Sequence, residues 1–76
     1  MVWKERIVAD PAVLTGKPVI KGTRLAPDFI LELLAEGWTR EDLLAEYPSL
    51  EGPDILACLA YAAESLRGEK VYPLAG

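Results

Sequence analysis

The sequence predicts a mainly α fold: a three-helix bundle that carries an N-terminal β-hairpin arm. Three observations predict it. β-prone and turn-forming residues are concentrated in the first 25 positions. From Ala26 onward the apolar residues recur at helical spacing. Two breaks, at Gly37-Trp38 and between Pro48 and Pro53, divide that stretch into three segments. At 76 residues the chain is expected to be one domain, with the arm over 1–25, the bundle over 26–68 and an extended tail over 69–76.

In the arm, Arg6-Ile7-Val8 is a short β-prone run that ends at Asp10-Pro11, because proline disfavours helix in the residue before it. Thr15-Gly16-Lys17-Pro18 reads as a turn. Val19-Ile20 and Thr23-Arg24-Leu25 flank Lys21-Gly22 and predict a tight hairpin, with Gly22 supplying the positive φ of its turn. Two short strands are marginal alone, so the arm must pack on something.

The first helix is expected over 27–36. Pro27 suits the first turn, and Asp28 there complements the macrodipole. Phe29, Ile30, Leu31, Leu33 and Leu34 fill one broad arc, Asp28, Glu32, Ala35 and Glu36 the other, and Gly37 stops the helix. The second is expected over 40–46, with Thr39 as N-cap, Asp42 in a capping-box relation to it, and Leu43, Leu44 and Tyr47 on the apolar face. Pro48 ends it.

The third helix, 53–67, is the most apolar, with ten of the twelve residues from Ile55 to Leu66 in the apolar class. Ile55, Leu59, Ala62 and Leu66 form one stripe, expected to face the core. Leu56, Ala60 and Ala63 form a second, expected to be a dimer interface, while Asp54, Tyr61, Glu64 and Ser65 mark the polar side. Gly68 is the expected stop, and Val71-Tyr72-Pro73-Leu74 an extended tail. Apolar burial in a chain of this mass is worth roughly 110 kcal/mol. Ordering its residues at about 1.5 kcal/mol each costs nearly the same. A second copy or another partner is therefore expected.

Composition excludes several chemistries. There is no histidine, so no histidine base or histidine-ligated metal, and Cys58 is the single cysteine, so no internal disulfide or cysteine-rich zinc site. No run of apolar residues reaches the roughly 18 of a membrane span. The charged opening MVWKERIVADP does not fit a secretory signal, so the expected compartment is the cytoplasm. Asp28, Glu32 and Glu36, or Glu41 beside Asp42, read as solvated helix faces, and Cys58 reads as a small buried hydrophobe. No catalytic residue, cofactor or metal is expected.

Charge is unevenly distributed. Net charge is −4, yet Lys4, Arg6, Lys17, Lys21 and Arg24 face only Glu5 and Asp10 within the first 25 residues. A basic β arm on an acidic helical body is a candidate for touching a DNA backbone. Three helices with a short break before the third also give a homeodomain-like, helix-turn-helix shape. A recognition helix presents Arg, Lys, Asn or Gln to bases, whereas the third helix offers Asp54, Tyr61, Glu64 and Ser65 before Arg67.

Four segments are familiar: Ile7-Val8-Ala9-Asp10-Pro11, Gly16-Lys17-Pro18-Val19-Ile20-Lys21-Gly22-Thr23-Arg24, Tyr47-Pro48-Ser49-Leu50, and Asp54-Ile55-x-Ala57-x-Leu59-x-Tyr61-Ala62-Ala63. Through them residues 5–64 resemble the small prokaryotic domain-of-unknown-function family 433. The resemblance implies a homeodomain-like bundle with a short β arm. It also implies an antitoxin-like role beside a PIN-like ribonuclease toxin, with binding of both toxin and operator DNA. Lys17, Lys21, Thr23 and Arg24 match the motif and are the DNA-contact candidates. Arg24 and Arg67 are the partner-contact candidates, as arginines that would enter the nuclease's acidic metal site. The competing expectation is a homodimeric protein-interaction module that binds no nucleic acid.

Overall fold

The computed structural model describes residues 2–67. In chain order these form a 3₁₀ turn at Trp3–Glu5, strand β1 (Ile7–Ala9), a turn at Leu14–Gly16, strand β2 (Pro18–Ile20), and helices α1 (Pro27–Ala35), α2 (Arg40–Glu46) and α3 (Gly52–Leu66). The expected mainly α class holds, with three helices and an N-terminal two-stranded antiparallel sheet. The expected stop at Gly68 and the tail over 69–76 lie outside the described residues.

The arm pairs differently from the expected hairpin. β1 lies antiparallel to β2, with Ile7 opposite Ile20, Val8 opposite Val19 and Ala9 opposite Pro18. The Lys21 N–H donates to the Arg6 carbonyl at 2.7 Å and extends the pairing. Residues 20–25 are instead a closed turn. The Ile20 N–H donates to the Leu25 carbonyl, the Thr23 N–H donates to the Ile20 carbonyl, and Gly22 sits at φ +84°. Burial explains the choice, since pairing with 7–9 buries Ile7, Val19 and Ile20 together, whereas residues 23–25 offer one apolar side chain. The connection passes through three consecutive residues in the left-handed region, Leu14, Thr15 and Gly16.

The helix ends follow local chemistry. At the C-terminus of α1 the Gly37 N–H donates to the Leu34 carbonyl and the Trp38 N–H to the Leu33 carbonyl, with Gly37 at φ +100°. This is the Schellman closure, which needs a residue free to adopt positive φ. α2 opens on a complete capping box, in which the Asp42 N–H donates to the Thr39 hydroxyl at 3.1 Å and the Thr39 N–H to the Asp42 carboxylate at 2.9 Å.

The core comprises Ile7, Ile20, Ile30, Leu33, Leu43, Leu50, Ile55, Ala57 and Cys58. α3 is turned otherwise than its apolar stripe predicts. Ile55 is buried, but Leu59 and Leu66 are 47% and 59% exposed. The inward face is Asp54, Ile55, Ala57 and Cys58, with Tyr61 packed against the core. So the expected polar side of α3 is in part internal. The cause is the arm, because Trp3 stands edge-on to Tyr61 at 4.9 Å and its indole N–H donates to Glu64. A helix apolar nearly all round has no preferred inward face of its own, and the element that docks on it decides.

Thr39→Ala removes the acceptor for the Asp42 N–H and should cost about 1 kcal/mol. Asp42 is held below its ordinary value, first by the Thr39 backbone N–H and then by the Thr39 side chain. A depressed carboxylate stabilises the fold above its unfolded value, and that contribution is lost as pH falls through the folded one. Thermal melts should therefore separate wild type and Asp42→Ala more in neutral buffer than in acid.

Candidate functional site

Besides the Trp3 contacts, an ionic cluster at Arg6 fixes the arm to the body. The Arg6 guanidinium donates from Nη1 to Asp54 Oδ1 at 2.9 Å and to Glu51 Oε2 at 3.3 Å. Asp54, 5% exposed, also accepts the Glu51 N–H through Oδ2 at 2.9 Å. It therefore serves at once as an acid in the first turn of α3, where the macrodipole favours negative charge, and as the anchor of the arm. Its hydrogen bonds, followed by those of Glu51, raise the Arg6 pKa further above its ordinary value. A cleft of about 500 Å³ opens beside the cluster, bordered also by Lys21 and Ser49.

Both ion pairs among the described residues belong to Arg6. Lys17, Lys21 and Arg24 are exposed and take part in neither. Lys17 and Lys21 flank β2, so at strand rise their α-carbons stand roughly 13 Å apart. Lys21 and Arg24 both lie within the closed turn of residues 20–25. Thr23 does not belong with these cations. Its hydroxyl donates to the Ile20 carbonyl at 2.8 Å and accepts the Leu25 N–H at 3.0 Å, which braces the turn.

α3 presents a different surface. Leu56, Leu59, Ala63 and Leu66 are exposed and Ala60 is half-buried. The dimer-interface candidates Leu56, Ala60 and Ala63 thus share the outward face, joined by Leu59 and Leu66 of the stripe expected to face the core. Arg67 is exposed at the C-terminal end. Asp54 and Glu64 are engaged by the arm, so α3 offers no Arg, Lys, Asn or Gln to a base edge before Arg67. Lys17 borders a hollow with Tyr61, whereas Lys21 borders the cleft at Glu51 and Asp54, so the arm cations are spread along α3.

Cys58 is fully buried, and burial, with the charge of Asp54 second, pushes its thiol up to about 11. At neutral pH it is protonated and inert. Among the described residues no group of three or more acidic, cysteine or histidine side chains could hold a metal ion. Nor is any helix there long and apolar enough to cross a membrane. Reasoning from the sequence missed Arg6, Trp3 and Glu64, the residues that seat the arm.

A family model described as a protein of unknown function, DUF433, matches residues 7–62. An uncharacterized protein, y4eO of Sinorhizobium fredii (strain NBRC 101917 / NGR234), is 34% identical over 68 residues, covering 88% of this chain and 31% of that protein. The crystal structure of a DUF433 member protein from Anabaena variabilis ATCC 29413 is similar at a TM-score of 0.73 and 28% identity, over 80% of this chain and 60% of that one. The chain thus spans under a third of the first relative and three-fifths of the second.

Asp54→Ala should cost about 2 kcal/mol, since it removes hydrogen bonds to a charged group and loosens the arm. Glu51→Ala, which removes an exposed ion pair, should cost under about 1 kcal/mol. Urea unfolding of the two variants checks the ranking; equal losses would place the anchor elsewhere.

Proposed function

Because this chain belongs to the DUF433 family of proteins of unknown function, we propose that it is a non-catalytic, antitoxin-like regulatory module that binds a PIN-like nuclease toxin. One observation carries the reading: the arm is pinned to α3 through Arg6, while Lys17, Lys21 and Arg24 stand exposed outside the described ion pairs. A cation held on a fixed element loses less freedom on binding than one on a loose tail. Arg24 is the side chain assigned to the acidic metal site of such a nuclease, and Arg67 is the second candidate. The buried, protonated Cys58 and the lack of histidine support a role without chemistry of its own. Operator DNA is a second ligand for the same cations. There the arm, not α3, makes the contact, and it works against a net charge of −4. A homodimeric interaction module that binds no nucleic acid is the competing reading, favoured by the outward leucines of α3.

Co-expression of the tagged protein with its chromosomal neighbours tests the main reading. The expected result is a stoichiometric complex with a PIN-like nuclease whose RNA cleavage falls, and Arg24→Ala should weaken that inhibition. Recovery of the protein alone, with every neighbouring nuclease fully active in its presence, would overturn it. For DNA, Lys21→Ala and Arg24→Ala should each reduce the salt dependence of operator affinity by about one phosphate contact. An unchanged slope in both variants removes the arm from that role.

A further inference from the structure

We propose that the outward face of α3 is a self-association surface, covered by the α3 of a second copy in antiparallel orientation. This rests on α3 alone and holds whether or not a nuclease or DNA is bound.

The face is apolar where a surface helix is ordinarily charged. Asp54, Ile55, Ala57 and Cys58 turn inward. Opposite them lie Leu56, Leu59, Ala60, Ala63 and Leu66, the leucines 56%, 47% and 59% exposed. From Gly52 to Ala63 the sole charged residue of α3 is the buried Asp54. A helix that is apolar all round belongs in an interior. The leucines and alanines expose on the order of 400 Å², a patch of the size that marks an interaction surface. Two such faces with their rims reach the small end of specific interfaces, which points to micromolar association.

Charge and shape select a second copy as the occupant. Each copy carries −4, so two copies repel wherever their charged surfaces meet. This uncharged helix face is where that opposition is least. A basic or acidic partner gains nothing from three turns without a charge. The face is also complementary to itself when the helices run antiparallel. Leu59 then lies over Ala63 of the second copy, a large side chain over a small one, and Leu56 meets Leu66. A parallel pair would set Glu64 against Glu64 and Arg67 against Arg67 with aligned macrodipoles. The antiparallel pair sends these charges to opposite ends and sets the dipoles head to tail.

Sedimentation across a concentration series tests the surface. The full chain should show a reversible monomer–dimer equilibrium, and Ala60→Glu should weaken it by about tenfold or more with its helical circular dichroism retained. Orientation is read by mixing two variants at exposed positions. Leu56→Glu and Leu66→Lys should each be monomeric alone, and together they should form a heterodimer, because only the antiparallel pair sets residue 56 against residue 66. A wild-type chain that stays monomeric throughout overturns the proposal, as does a dimer that survives all three substitutions. Failure of the mixture to associate overturns the antiparallel geometry. These experiments contain no nuclease or nucleic acid, so their outcome is independent of the toxin-binding reading.

Discussion

Asp54 sits where the β arm meets α3, and its two carboxylate oxygens point in opposite structural directions. One accepts the Glu51 N–H at the start of the helix; the other accepts the Arg6 guanidinium from the arm. A buried carboxylate without partners is too costly to persist, and removing one partner of a buried pair is destabilising. Arg6 is therefore required at that point. Through its carbonyl, which accepts the Lys21 N–H, it also sets where β1 lies against β2. Trp3 against Tyr61 and Glu64 adds a second clamp about two to three turns further along α3. The rotation of α3 about its axis follows: Asp54, Cys58 and Tyr61 lie toward the arm and core, and Leu56, Leu59 and Ala63 lie away from them.

The same constraint separates the surfaces on which binding can occur. Arg6 is engaged, so it serves the fold and not a ligand. Lys17, Lys21 and Arg24 keep their charges outside the described ion pairs on an element whose position is fixed. Thr23 carries the same sequence motif but acts inside its turn. A contiguous motif thus divides into residues that hold the backbone and residues that face outward. Gly22, at positive φ, and Thr23 belong to the first group, the cations to the second.

How much of this is legible in the sequence depends on how local the deciding interaction is. The Gly37 closure, the Thr39–Asp42 box and the extent of α2 rest on neighbours within five residues, and they are read correctly. The pairing of β1 with β2 is not local. Lys21-Gly22 is a genuine turn signal, but it closes a turn beside the sheet, because Ile7 brings more apolar burial than Thr23 or Arg24 can. The role of Asp54 is the least legible, since an acid near a helix start is ordinarily a solvated capping residue. Its partner lies 48 positions away. The available signal was the arm itself, which needed an anchor. With ten of twelve residues apolar, α3 carries too little asymmetry to name its own inward face. The placement of Leu59 and Leu66 in the core fails for that reason.

That ambiguity bears on why a small chain keeps a carboxylate in its interior at all. A rotation of α3 that turned Leu56 and Leu59 inward would bury more apolar surface in a single copy, and hydrophobic burial alone would favour it. The observed rotation instead satisfies Asp54 and Arg6, sets Trp3 edge-on to Tyr61, and leaves three leucines facing water. For an isolated chain with a marginal core this is a poor exchange. It becomes a favourable one when the leucines are covered by a second surface of the same kind. Under the proposed pairing, the half-buried Arg6–Asp54 pair would act as a selector, fixing which apolar face of α3 builds the fold and which is left outward. If α3 pairs with a second copy as proposed, folding and association are coupled through one side chain: loss of Asp54 would remove the bias that keeps the leucines outward, and so would act on assembly without touching the interface itself.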